Sequence, residues 1–335
     1  MSKSNIKENT VIVTGGCGYI GGQTAITLAD LGYDVIVVDK KIKQLKTDKA
    51  IKYVELDLRD KKSLENLDCY NFDAVLHFAA YIEVGLSTKD PIGFYQNNIV
   101  GSLNLLEYMQ KREVKNLVFS STAASYGNPP KEAKNLPLPE SLTPTPINPY
   151  GTSKVIVETL IQELQKYNLI NPIIFRYFNA SGADMTSRHG EEHDPETHLI
   201  PLIFDAAYKK RANIKVFGTD YNTKDGTCIR DYIHVQDLAN AHVLAVSKLL
   251  ESQTFDNPIF NLGNGYGYSV KEVIECVKNI TGQNFEVLEE GRREGDPAIL
   301  VADNTKAKDI LGFVPKYSSL ENIVRSHEEY LKSKE

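Results

Sequence analysis

Between Thr10 and Gly22 the chain reads TVIVTGGCGYIGG, an apolar β-branched run that stops at Thr14 and gives way to five glycines in eight residues. Glycine at that density suits backbone that must turn with φ > 0 and lie against something bulky. Gly16-x-Gly18-x-x-Gly21 has the spacing of a dinucleotide-binding turn, and Gly15-x-x-Gly18-x-x-Gly21 has its variant spacing. The turn follows a buried-looking strand and opens an amphipathic segment, Gln23–Leu31, so that helix N–H groups would face a pyrophosphate. The next strand, Asp34–Val38, ends in Asp39, 18 residues after Gly21, where an acid can hold both ribose hydroxyls.

The alternation continues through the first half. Apolar runs at Val35–Val38, Tyr53–Leu56, Ala74–Ala79, Leu117–Ser120 and Ile173–Tyr177 are separated by helix-length segments. Such near-continuous hydrophobicity is what a parallel sheet covered on both faces requires. Asn98–Lys111 has helical periodicity, with Ile99, Leu103, Leu106 and Met109 on one stripe. The fold predicted is α/β, a doubly wound parallel sheet of Rossmann type. Asp57-Leu58 and Phe78-Ala79-Ala80 fall at carboxyl ends of strands, where such sheets bind ligands. His77, surrounded by apolar residues, reads as a satisfied core histidine.

Beyond Asn179 the pattern changes. Ala180–Glu196 is loop-like, then come a helix (Leu199–Lys210), a short strand (Lys215–Gly218) and a polar loop (Thr219–Gly226). Ser-x-x-Glu capping boxes at Ser269/Glu272 and Ser318/Glu321 start two late helices. The expected division is a dinucleotide-binding domain over 1–180 and a smaller α/β lobe over 181–335, in keeping with a chain of 335 residues. Asn128–Pro149 holds seven prolines in 22 residues and cannot be a core element; it is expected to cover the edge of the active site.

A net charge of −6 argues against nucleic acid or an anionic membrane as partner. The N-terminus lacks the apolar core of a signal peptide, and no apolar run reaches spanning length. Cys17, Cys69, Cys228 and Cys276 lie far apart without CxxC or a nearby His cluster, so packed, reduced thiols in a cytoplasmic protein are expected, with no metal site.

Tyr150 and Lys154 are four residues apart at the start of a helix running to Tyr167, so both point to one face. A phenol becomes a base near neutral pH only if about 3 pKa units, roughly 4 kcal/mol, are removed. A lysine ammonium some 4–6 Å away supplies on the order of 3 kcal/mol at an effective dielectric near 20. A positively charged nicotinamide ring would supply a similar amount. The strand before this helix ends in Ser120-Ser121-Thr122, and Thr122 would hydrogen-bond the reacting oxygen unless it only caps backbone.

These segments together resemble the extended short-chain dehydrogenases/reductases, and within them the UDP-glucose 4-epimerases. The resemblance covers nearly the whole chain. It is carried by TGGCGYIG (14–21), HFAA (77–80), SSTAASYG (120–127), NPYGTSK (148–154), RYFNASGA (176–183), DGTCIRDYIHVQDLA (225–239), NLGNG (261–265) and REGDPA (293–298). It implies that Tyr150 is the acid/base, Lys154 its tuning cation and Thr122 the hydroxyl partner. It implies NAD contacts from Gly15, Gly18, Tyr19, Ile20, Gly21, Asp39, Asp57, Leu58, Phe78, Ala79, Ala80, Asn97, Ser120 and Tyr177 as well as Tyr150 and Lys154. Asn179, His198, Leu199, Phe217, Arg230, Arg293 and Asp296 match positions that hold a UDP-sugar, with Leu300 bordering the sugar. Two arginines suit a diphosphate, although a structural pair such as Arg230 with Asp231 is the plainer account of each charge.

The implied activity is interconversion of UDP-glucose and UDP-galactose through a transient 4-keto sugar, with hydride exchanged with tightly held NAD. A homodimer paired through helices 98–111 and 150–167 is implied as well. Three positions depart from the pattern: Ile82 where relatives place a lysine, His198 for a more familiar asparagine, and Lys40-Lys41 after Asp39. NAD is expected over NADP, because Asp39 would repel a 2′-phosphate. A dehydratase would need an acid beside Thr122, where Ala123 and Ala124 stand. A non-catalytic NAD sensor would have no need of the Tyr150/Lys154 pair. Leu300 fills less space than a tyrosine and offers an acetamide no hydrogen bond, so graded selectivity for the plain over the N-acetylated sugars is expected.

Overall fold

A computed structural model describes residues 9–129, 137–293 and 296–334. The six apolar runs join a further strand, Ile259–Leu262, in one parallel sheet, seven-stranded among the described residues. Its spatial order is Ile259–Leu262, Asn171–Tyr177, Asn116–Thr122, Ala74–His77, Thr10–Thr14, Asp34–Asp39, Ile51–Glu55. Side chains alternate across a strand, so Val11, Val13, Val35 and Val37 enter one core while Ile12, Ile36 and Val38 enter the other. Both faces are apolar because both are covered. Helices Tyr19–Asp30 and Val235–Leu250 close the first face through Ala25, Leu28, Leu238 and Ala245. Gly101–Lys111 and Pro149–Lys166 close the second through Leu105, Met109, Val157 and Ile161.

The break expected at residue 180 does not partition the fold. Strand Ile259–Leu262 pairs with Ile174–Tyr177, and helix Val235–Leu250 packs against the same sheet. The first 180 residues leave a sheet edge and one apolar face that residues from the second half fill. What stands apart is a smaller unit. There Ile229–His234 pairs with Gly267–Ser269, Ile299–Leu300 and Asn179–Ser181. Asn213–Phe217 pairs with Glu286–Glu290, over a core of Phe204, Val273 and Ile323 from three helices.

Two local expectations change. Leu103 is exposed, while Leu106 and Met109 of the expected stripe are buried beside Leu105 and Tyr108. A wide π turn over Gln96–Val100 precedes this helix, so Ile99 and the later positions do not share one α-helical phase. The Ser269/Glu272 box forms with both reciprocal bonds. The second box does not, because Ser319 is the cap and accepts from Asn322 N. Ser318 is instead drawn inward, its hydroxyl donating to buried Asp237 and accepting from His234 N.

His77 is a core histidine, its ring nitrogens bonded to Thr14 and Ser102 hydroxyls. All four cysteines are free thiols, but only Cys228 is buried and Cys69 is exposed, so packing does not account for them as a set. Of the proline-rich stretch, residues 130–136 lie outside the described residues. Its described end is seated by Leu138, which donates from N to Val301 O and accepts at O from Asp303 N. No described helix is long and apolar enough to cross a membrane.

Candidate active site

Strand order reverses between Thr10–Thr14 and Ala74–His77, and a cavity of 810 Å³ opens at the carboxyl ends of these strands. Gly15 has φ +69°, and a Cβ there would come 2.6 Å from the backbone N of Ala79. A Cβ on Gly21 would meet Gly15 O at 2.3 Å. Only glycine lets the turn, the next strand end and the helix start converge this closely. The helix begins after Gly18 with no side-chain cap, so its first N–H groups are left for a ligand where Gly18–Gly21 line the cavity.

Asp39 holds the turn as well as ending its strand, its carboxylate accepting from Cys17 N at 3.1 Å. Asp57 forms an ion pair with Arg59, whose hydrogen bonds hold its carboxyl below the ordinary value. Leu58, Phe78, Ala79, Ala80, Asn97, Ser120 and Tyr177 line the same cavity. The Tyr177 hydroxyl is committed inward to Ser120 and His242, so the residue offers the cavity its ring.

Tyr150, Lys154 and Thr122 line the wall opposite the glycine turn. Pro149 starts their helix, whose cap is Asn148 accepting from Gly151 N, and this fixes the first turn that carries Tyr150. Thr122 serves both readings made of it: its hydroxyl accepts from Ala124 N at 3.1 Å and is also hydrogen-bonded to Tyr150.

The lowered phenol pKa expected from Lys154 is not present in the protein alone. Burial pushes the Tyr150 hydroxyl up, the Thr122 bond pulls it back, and Glu83 adds a smaller push. Lys154 is itself desolvated, its pKa pushed down to about 7 by burial and partly restored by Glu158. Its ammonium donates to Ser120 O at 2.8 Å and lies 5.0 Å from the Phe119 ring centre.

A second cavity of 350 Å³ is lined by Leu199, Phe217, Arg230 and Arg293, while Asn179, His198 and Asp296 border both. The Arg230 partner is Asp296 at 3.2 Å, not Asp231. Asp231 is turned inward, accepts from Asn264, Gly265 and Ala302 backbone N–H groups, and is raised to about 6 by burial. Arg293 lies 3.9 Å over the Phe217 ring, its guanidinium exposed. Leu300 pairs in register with Arg230, packs beside Tyr126 and Phe178, and still lines the larger cavity.

Sequence reasoning missed two groups. Buried Asn98 bonds both backbone atoms of Tyr81 and the Ser153 hydroxyl, tying the cavity wall to the residue before Lys154. A lone Asn in a helix carries no signal for that. The second group corrects the expectation of no metal-capable cluster. Glu191, His193, Glu196 and His198 converge at the cavity junction, a grouping legible only in the spacing E-x-H-x-x-E-x-H that attention to cysteines passed over.

Known proteins resemble the chain over nearly its whole length. The model of the NAD dependent epimerase/dehydratase family matches residues 11–263. A UDP-glucose 4-epimerase of Rhizobium leguminosarum bv. trifolii is 47% identical over 321 residues, 95% of each chain. The crystal structure of UDP-glucose 4-epimerase from Brucella ovis in complex with NAD is 42% identical with a TM-score of 0.90, covering 96% of this chain and 98% of that one. That from Bifidobacterium longum in complex with NAD+ and UDP is 35% identical with a TM-score of 0.89, covering 97% and 98%. The cofactor turn, the Tyr150 wall and the arginine-lined cavity are thus those of a chain that belongs to the NAD-dependent epimerase/dehydratase family.

Proposed function

We propose that this chain interconverts UDP-glucose and UDP-galactose by NAD-dependent epimerisation at C4. The observation that carries the reading is the Tyr150–Thr122 hydroxyl pair, set on the wall of a cavity that runs from the glycine turn to the arginine-lined one. The cradle fits NAD: the space a Cβ would fill at Gly15 and Gly21 is taken by close backbone, leaving the helix N-terminus to a pyrophosphate and Asp39 to a ribose. NAD supplies a hydride acceptor that returns the same hydride. Tyr150 takes the proton of the 4-hydroxyl and gives it back, Thr122 holds the oxygen, and Lys154 keeps positive charge beneath them. Arg230 and Arg293 hold the diphosphate, with Arg230 exchanging Asp296 for phosphate oxygens. The 4-keto sugar turns within a pocket bordered by Leu300 and is reduced on its other face.

Elimination chemistry is disfavoured because Ala123 and Ala124 follow Thr122, and no acid stands there. We place the enzyme in solution as a homodimer joined through Gly101–Lys111 and Pro149–Lys166, whose flanks expose Val100, Leu103 and Ile156. Incubation with UDP-galactose alone, without oxidant or second substrate, tests the reading. UDP-glucose should accumulate to equilibrium; its absence with NAD bound overturns the assignment.

A further inference from the structure

At the junction of the two cavities the segment following Gly190 folds four side chains onto one point. The Glu191 side chain is 2% exposed. Its Oε1 has two imidazole nitrogens beside it, His193 Nδ1 at 3.1 Å and His198 Nδ1 at 2.8 Å. Glu196 joins the group, its Oε1 3.1 Å from His198 Nδ1 and its Oε2 3.9 Å from His193 Nδ1. The four donor atoms all lie within 4.8 Å of one another.

A tetrahedral site with ligands at about 2.0–2.1 Å has ligand–ligand edges of about 3.3–3.4 Å. Three carboxylate–imidazole separations here, 2.8, 3.1 and 3.1 Å, come near that value, and the four donor atoms all fit within 4.8 Å. His193 Nδ1 is sealed from solvent, and at 3.1 Å from Glu191 Oε1 it lacks the alignment of a full hydrogen bond, which leaves the nitrogen open to an ion. Two carboxylates with two neutral imidazoles make a donor set whose charge one divalent cation balances. A two-nitrogen, two-oxygen set suits zinc-like ions better than the hard, oxygen-seeking ones.

We propose that Glu191, His193, Glu196 and His198 form a tetrahedral site for one divalent transition-metal cation of zinc-like chemistry. Tyr19, from the glycine turn, stands edge-on to His193 at 6.4 Å between ring centres. The ion would therefore pin the segment that carries His198 against the cofactor turn, at the mouth of both cavities. Its presence does not depend on which sugar the enzyme turns over.

The test uses the full chain with NAD bound, stripped of metal by chelation and desalting, then titrated with ZnCl2 or CoCl2 by calorimetry and visible absorption. One ion per chain should bind, and Co2+ should give the intense d–d absorption of a tetrahedral site. His193→Ala and Glu196→Gln should each weaken binding about 100-fold or more. His193→Cys should restore it with an added thiolate-to-cobalt charge-transfer band. Glu196→Gln serves as the second reading if His193→Ala loses its circular dichroism. Absence of stoichiometric binding overturns the site, as does unchanged affinity and spectrum in both weakening variants, which would assign the ion to the free cysteines.

Discussion

The two ends of the active cavity are built differently. At the end proposed for the cofactor most lining residues hang from a strand terminus or the start of a helix: Gly15, Asp39, Phe78, Ser120, and Tyr150 with Lys154. At the sugar end Arg293 and Asp296 sit in a loop, Leu300 lies on a two-residue strand, and Arg230 is already occupied by Asp296. A rigid end suits a group that stays. An adaptable end suits a sugar that must turn over between proton and hydride transfers while its nucleotide is held. Substitutions should accordingly strike chemistry at the first end and affinity or selectivity at the second.

The largest effect expected is from Tyr150→Phe. Turnover of UDP-galactose should fall about 10²- to 10⁴-fold, the range of a lost general acid–base, with NAD and UDP binding kept. A loss confined to KM would mean the rigid end merely binds.

Lys154→Met should abolish most activity and yet raise stability by about 1–4 kcal/mol, because it removes a buried charge. The sign follows from Lys154, whose pKa is pushed down from 10.5 to about 7 by burial. Folding then disfavours the ammonium, a cost fully present below pH 7 and lost as pH rises toward 10.5. Thermal unfolding of the two proteins should therefore differ most at pH 6 and converge in alkali. A lower Tm for the variant at pH 6 would show that the Ser120 carbonyl bond outweighs desolvation.

At the adaptable end, Arg230→Ala should raise KM for UDP-galactose about 10- to 100-fold, the loss of one charge-assisted contact, while kcat changes far less. An equal fall in kcat would move Arg230 into the chemistry. The smallest effect is from Leu300→Tyr. The ratio of kcat/KM for UDP-galactose over UDP-N-acetylgalactosamine should rise roughly tenfold, within the 1–3 kcal/mol that pocket size controls. An unchanged ratio would leave Leu300 a packing residue.

The same contrast explains what could be read from the chain. Six strands of the sheet were legible because their runs are largely apolar, while Ile259–Leu262 was not singled out, and the glycine turn was legible because backbone there meets backbone, as at Gly15 and Ala79. Periodicity failed at Leu103, which sits at the edge of the buried stripe formed by Leu105, Leu106 and Met109. The Ser318 box failed because a buried carboxylate, Asp237, competes for the hydroxyl, and such competition is long-range. For Tyr150, spacing shows that a lysine is near, but only the packed structure shows that burial raises the phenol in the protein without cofactor. The ion pair offered as the alternative for Arg230 names the wrong acid, since alternation in a strand sends Asp231 inward and leaves Arg230 for Asp296.

The Ile259–Leu262 strand has a consequence for synthesis. When residues up to 180 have left the ribosome, Asn171–Tyr177 is an open sheet edge, and Val118 and Phe175 have no helix over them. Unpaired edges of parallel sheet are templates for pairing with other chains. The nascent cofactor half must therefore wait for about 80 further residues before it is sealed. A fragment ending at 180 should bind chaperones or aggregate rather than bind NAD.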